Sequence, residues 1–143
     1  MTGFVLDASV TMTWLLADAG PGDREYAAMV LEAMKQPEIL AEVPVTWSLE
    51  VANVLARAEA RSLVTVAHSE AFLGMLSSIP IRADHSTFAQ ALADTLHLAR
   101  RYGLSSYDAS YLELALRSGL PLATLDVDLE VAARKAGVTR FTA

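Results

Sequence analysis

Short apolar runs alternate along this chain with stretches in which apolar residues return every three or four positions, the two rhythms of strands and helices. Gly3-Phe4-Val5-Leu6 is an apolar run stopped by Asp7, and residues 10–16 then read as a short helix with Ser9 placed to cap it. Gly20-Pro21-Gly22 reads as a loop. Asp23 follows as the cap of a helix to about Lys35, with Ala27, Val30, Leu31 and Met34 at helical spacing and Gln36-Pro37 as its stop. Residues 39–43 form a second strand closed by Pro44. A longer helix then runs from about Thr46 to near Arg61, and another over 66–78 folds back on it. Pro80-Ile81-Arg82 marks a short third strand. Helices over 87–102 and 107–118 each stop at a glycine, Gly103 and Gly119, as expected just past a helix C-terminus. Residues 121–125 form a strand ended by Asp126, residues 128–135 a last helix before Gly137, and Arg140-Phe141 a final short strand. Strands alternating with helices predict an α/β fold with a mostly parallel sheet covered on both faces.

A length of 143 residues makes one domain, residues 1–143, the default, and no repeat, low-complexity stretch or linker divides it. Hydrophobic residues make up 53% and mean hydropathy is +0.33, yet no apolar run approaches the roughly 18 residues of a membrane span. The surplus implies a large core, or an apolar surface for a partner or a second copy. Nothing before Asp7 resembles a secretory signal, so a cytoplasmic protein is expected. Cysteine is absent, which removes thiolate chemistry and leaves carboxylates and three histidines as possible ligands. Eleven Lys and Arg against 17 Asp and Glu give a net charge of −6, a sign that ordinarily counts against phosphate binding. It is tolerable if several acids converge on a metal, which inverts the local field.

Asp7 and Asp126 are each the first charged group after an apolar strand, and the carboxyl edge of an open α/β sheet is where ligands bind. Taken singly, each could be merely a helix cap. Glu50 shares a helix edge with Trp47, Val54 and Ala58, although a mid-helix acid normally faces water. Asp108 lies on the apolar face of its own helix, with Tyr111, Leu112 and Ala115 three, four and seven residues on. Its alternative role is to complement the helix dipole from the first turn. Four acids at two strand ends and on two inward helix faces are better explained together. Carboxylates packed side by side repel and lose hydration, and a hard divalent cation compensates. Oxygen ligands without cysteine suit Mg²⁺ or Mn²⁺.

Phe4-Val5-Leu6-Asp7-Ala8-Ser9-Val10, Leu49-Glu50-Val51-Ala52-Asn53-Val54-Leu55, Leu104-Ser105-Ser106-Tyr107-Asp108-Ala109-Ser110-Tyr111-Leu112 and Leu122-Ala123-Thr124-Leu125-Asp126 resemble, in order and spacing, the motifs of the PIN-domain family. The resemblance runs almost the whole length and is closest to the toxin ribonucleases of the VapC type. It implies a three-layer α/β/α sandwich whose acids hold one or two Mg²⁺ or Mn²⁺ ions and hydrolyse RNA. By position Asp7, Glu50 and Asp108 match the family's three best-kept acids and Asp126 the more variable fourth, while Ser9 and Thr124 match supporting hydroxyls. Asp128 is a reserve for the fourth acid and reads first as a helix acid. The resemblance also implies a small antitoxin partner, and a homodimer is a further expectation.

Other acidic α/β phosphate enzymes fit less well. Haloacid-dehalogenase-like phosphatases need an acid where Ser9 stands, receivers need a strand-end lysine, and a Toprim-like reading leaves Asp7 and Asp108 unexplained. A PIN-like module kept only for binding protein or RNA is the alternative from another class, and loss of a principal acid would mark it. His68, His85 and His97 show no ligand spacing. Arg57, Arg61, Arg100 and Arg101 could meet RNA phosphate, with surface salt bridges the blander expectation.

Overall fold

The computed structural model describes residues 2–143. β1 (Thr2–Leu6) leads into a short α1 (Ala8–Thr13), and α2 (Pro21–Ala33) precedes β2 (Ile39–Pro44). The long α3 (Thr46–Ala60) and α4 (Val66–Ser77) come before β3 (Ile81–Asp84). The second half runs through α5 (Thr87–Gln90), a wide turn at Ala91–Thr95, α6 (Leu96–Tyr102), α7 (Ser106–Ser118), β4 (Leu122–Ala123) and α8 (Val127–Lys135).

The four strands lie in the order β3-β2-β1-β4 and every pair is parallel, with Phe4 opposite Ala41 and Leu6 opposite Ala123. Phe4, Val5 and Leu6 expose no surface. Phe4 and Leu6 pack with Ala27 and Val30 of α2, while Val5 packs with Leu112 of α7 and Leu129 of α8. A strand buried on both faces needs an unbroken apolar run, which is why residues 4–6 read as one. A third cluster joins α1, α3 and α4 through Met12, Val51, Leu55 and Phe72. The expected α/β/α arrangement is therefore observed. Its strand order reverses beside β1: the chain builds outward through β2 and β3, then returns to place β4 on the other flank. The carboxyl ends of β1 and β4 flank that switch point, where an open parallel sheet leaves a crevice.

Several local expectations change. Ser9 does not cap α1; the cap position is Asp7, and Ser9 lies within the helix. Nor does Asp23 cap α2, which starts at Pro21 with Gly20 at the cap. Proline's fixed φ suits a first helical position, so the apparent loop is a helix start. The helix expected over 87–102 is divided, because Ala93 leaves helical geometry at φ −120° and ψ −106°. Arg140 makes a single parallel bridge to Leu122, not a strand, and the tail is fixed instead by Phe141. Its ring stacks on Phe4 with centroids 4.0 Å apart, and Tyr26 donates a 2.8 Å hydrogen bond to its carbonyl. Among the described residues no helix is long and apolar enough to cross a membrane.

At the far end of α7, Arg117 donates to Asp84 at the end of β3 (2.6 and 3.1 Å) and to Glu113 one turn back (2.7 and 3.0 Å). This pairing holds the Asp84 carboxyl below its usual range. Glu113 is 4% exposed, so removing the cation it pairs with strands a buried charge. Arg117→Met should cost on the order of 2 kcal/mol, discounted because Arg117 itself is partly solvated. Adding Glu113→Gln should recover part of the loss. Urea unfolding of the three proteins checks this, and an unchanged midpoint for Arg117→Met would refute it.

Candidate functional site

Asp7 leaves β1 at the start of α1 and is 3% exposed. A cap would accept from its helix's free backbone N–H groups, but its side chain makes no such bond. Instead Oδ2 accepts from Ser9 Oγ at 2.6 Å and from Thr124 Oγ1 at 2.7 Å. Both hydroxyls are in turn held by β4's exit: Leu125 N–H donates to Ser9 Oγ (2.9 Å) and Asp126 N–H to Thr124 Oγ1 (3.0 Å). A backbone N–H can only donate, so each hydroxyl accepts there and is free to send its single proton to Asp7. The result is a clasp between the ends of β1 and β4 that fixes one oxygen of Asp7. Among the described residues no side-chain donor reaches Oδ1.

Asp126 is the N-cap of α8, with Oδ1 accepting from Leu129 N–H at 2.8 Å. Here the capping role is real, and it orients the carboxylate at the mouth of the crevice. Asp108 sits in the first turn of α7, which Ser105 caps by accepting from the Asp108 N–H at 3.1 Å. Glu50 comes from the second turn of α3, and Tyr111 Oη donates to its Oε1 at 2.7 Å. α3 is braced on both sides, by Trp47 Nε1 donating to Thr11 Oγ1 (3.0 Å) and by Thr46 and Ser110 hydroxyls 3.1 Å apart.

The structure thus brings Asp7, Glu50, Asp108 and Asp126 around one open cleft of about 240 Å³, with Ser9 at its wall and no cationic side chain among the described residues of its lining. The electrostatic consequence is mutual. Burial pushes the Glu50 carboxyl up to about 7, only partly offset by the Tyr111 hydrogen bond and reinforced by the Asp7 and Asp108 charges. Burial also pushes Asp108 up to about 6, with Asp126, Asp7 and Asp128 adding to it. Burial raises Asp7 as well, against the pull of its two hydroxyl donors.

Among the described residues no three acids or histidines are close enough to form a ready cage for a metal. The donor set still fits a hydrated hard cation. All ligands on offer are oxygens, and Mg²⁺ keeps several waters while taking only one or two carboxylates. Asp128 does not line the cleft; it is an exposed first-turn acid of α8 beside a separate pocket. The three histidines are exposed. The salt bridges expected for Arg57, Arg61, Arg100 and Arg101 are not formed: among the described residues the ion pairs use Lys35, Arg82, Arg117 and Arg134. Tyr111 is the residue that sequence reasoning missed. It entered only as a marker of Asp108's apolar face, although a buried phenol needs a partner. The same helical spacing that turned Asp108 inward could have identified it.

A comparison with curated protein sequences finds no match. The solved structures that match include the crystal structure of PAE2754 from Pyrobaculum aerophilum, at 25% identity and a TM-score of 0.64, over 92% of this chain and 86% of that one. Residues 4–135 match the PIN domain, a span that runs from the strand before Asp7 to the end of α8 and includes all four acids. On that match the chain belongs to the PIN-domain family, a family of nucleases.

Proposed function

We propose that the acid cleft binds Mg²⁺ or Mn²⁺ and that the chain is a metal-dependent endoribonuclease, the toxin of a toxin–antitoxin pair. The observation that carries this reading is four carboxylates around one cleft with no cationic side chain to offset them among the described residues. Family membership supports nuclease chemistry; RNA and the toxin role rest on the likeness of the four motifs to toxin ribonucleases. Asp7, Glu50, Asp108 and Asp126 would hold the cation, which when bound supplies a water of lowered pKa and charge to meet the phosphate oxygens. Ser9 and Thr124 keep Asp7 in place, and Tyr111 keeps Glu50 in place. No nucleophilic side chain is required. An apolar groove of about 660 Å³, lined by Val51 and Leu55 of α3 and Leu73 and Leu76 of α4, supports a covering small antitoxin or second copy.

The purified protein should cut RNA with Mg²⁺ or Mn²⁺ and stop in EDTA, and its expression should arrest growth. Asp7→Asn should abolish both while folding normally, because the amide oxygen can still accept from Ser9 and Thr124. Cleavage in excess chelator, or an active Asp7→Asn protein, would remove the metal mechanism.

Metal-free stability should fall as pH rises. The Glu50 and Asp108 pKa values lie above their ordinary 4.5 and 3.8, so between about 4 and 7 the folded chain holds protons that the unfolded chain has released. Melting in EDTA should therefore decline across that window and level off above it. At pH 7.5 added Mn²⁺ should raise the melting temperature, since a ligand of the folded state alone stabilises it. A metal-free melting temperature that climbs from pH 5 to 7 would contradict this.

The groove between α3 and α4 should be covered in the cell. Light scattering should give a dimer, or native purification a complex with a small protein. A strict monomer without a co-purifying partner would exclude both.

A further inference from the structure

A second polar cavity of about 430 Å³ lies between the C-terminal end of α6 and one face of α8, bordered by Arg101, Tyr102, Asp128 in the first turn of α8 and Lys135 in its last. The two cavities are neighbours through the start of α8, where Asp126 faces the cleft and Asp128, two residues on, lines the pocket. Arg101 and Lys135 come from different helices and are both exposed. Among the described residues neither is in an ion pair. Arg101 holds its guanidinium 5.6 Å from the centre of the Tyr102 ring, which steadies a long side chain without neutralising it. A helix dipole accounts for a cation at each helix end. It does not account for two such ends opening on one pocket beside four acids.

We propose that this pocket is a phosphate subsite for single-stranded RNA, in which Arg101 and Lys135 hold a backbone phosphate near the one presented to the acid cleft. The proposal rests on the ribonuclease reading and adds how a chain of net charge −6 holds its substrate. A bound cation can meet only the phosphate at the cleft, so the neighbouring phosphates need cations of their own. Among the described residues Asp128 is the single acid in the pocket, against the two cationic side chains Arg101 and Lys135.

The test uses a fluorescein-labelled single-stranded RNA of mixed sequence and the full chain carrying Asp7→Asn, in EDTA so that nothing is cut. Adding Arg101→Gln and Lys135→Gln should weaken binding several-fold. It should also flatten the slope of log K against log salt by about 0.7, the share of the one single-strand phosphate charge that is no longer neutralised. In the otherwise wild-type chain the same pair should raise KM and leave kcat in place. Arg24→Gln with Lys35→Gln removes equal charge from α2 and the turn that follows it, on the opposite face of the sheet, and should leave the slope unchanged. An unchanged affinity and slope for the pocket pair, or an equal loss for the α2 pair, overturns the subsite. If the wild type also cuts RNA, only the subsite falls. If it neither cuts nor binds RNA, the ribonuclease reading falls and takes the subsite with it.

Discussion

Four carboxylates that share a cleft with no cationic side chain among the described residues impose a cost that the rest of the molecule is arranged to carry. Their repulsion and lost hydration oppose folding, and the response is built from dipoles in place of countercharges. Asp7, Asp108 and Asp126 each stand at or within the first turn of a helix, where unpaired backbone N–H groups and the macrodipole favour negative charge. Hydroxyl donors from Ser9, Thr124 and Tyr111 complete the local compensation. The compensation is partial, as the raised Glu50 and Asp108 carboxyls attest, and the residual charge makes the cleft receptive to a cation.

α7 organises this arrangement along its length. Its first turn presents Asp108, its second supplies the hydroxyl that holds Glu50, and its last ties to the end of β3 through Arg117. Between them Tyr111, Leu112, Leu114 and Ala115 are almost wholly buried. One rigid helix therefore joins the acid site to the core, so that packing fixes where the acids stand.

The fold and the four acids were legible in the sequence because each rests on local pattern. Residues 4–6 are apolar because both faces of β1 are covered, and Asp108 falls in phase with Leu112 and Ala115 on one helix face. What stayed hidden depends on partners distant in sequence. Asp7 and a helix cap look alike along the chain, and half of the clasp that separates them comes from the Thr124 hydroxyl, 117 residues away. The break at Ala93 was equally silent, since residues 91–95 carry no proline or glycine to mark it. The helix start at Pro21 was misread because the flanking glycines of a loop and of a helix start look the same.

The clasp between the ends of β1 and β4 also bears on when the site comes into being. Thr124 and Leu125 supply half of it, so the contacts that fix Asp7 join the first and last parts of the chain. During synthesis from the N-terminus, β1, β2 and the helices between them emerge long before the residues that anchor the acid. Closing a loop of that length is a slow, entropically opposed step, and the parallel pairing of β1 with β4 cannot precede it. The cleft is therefore completed only once β4 and the residues that follow it have joined the sheet.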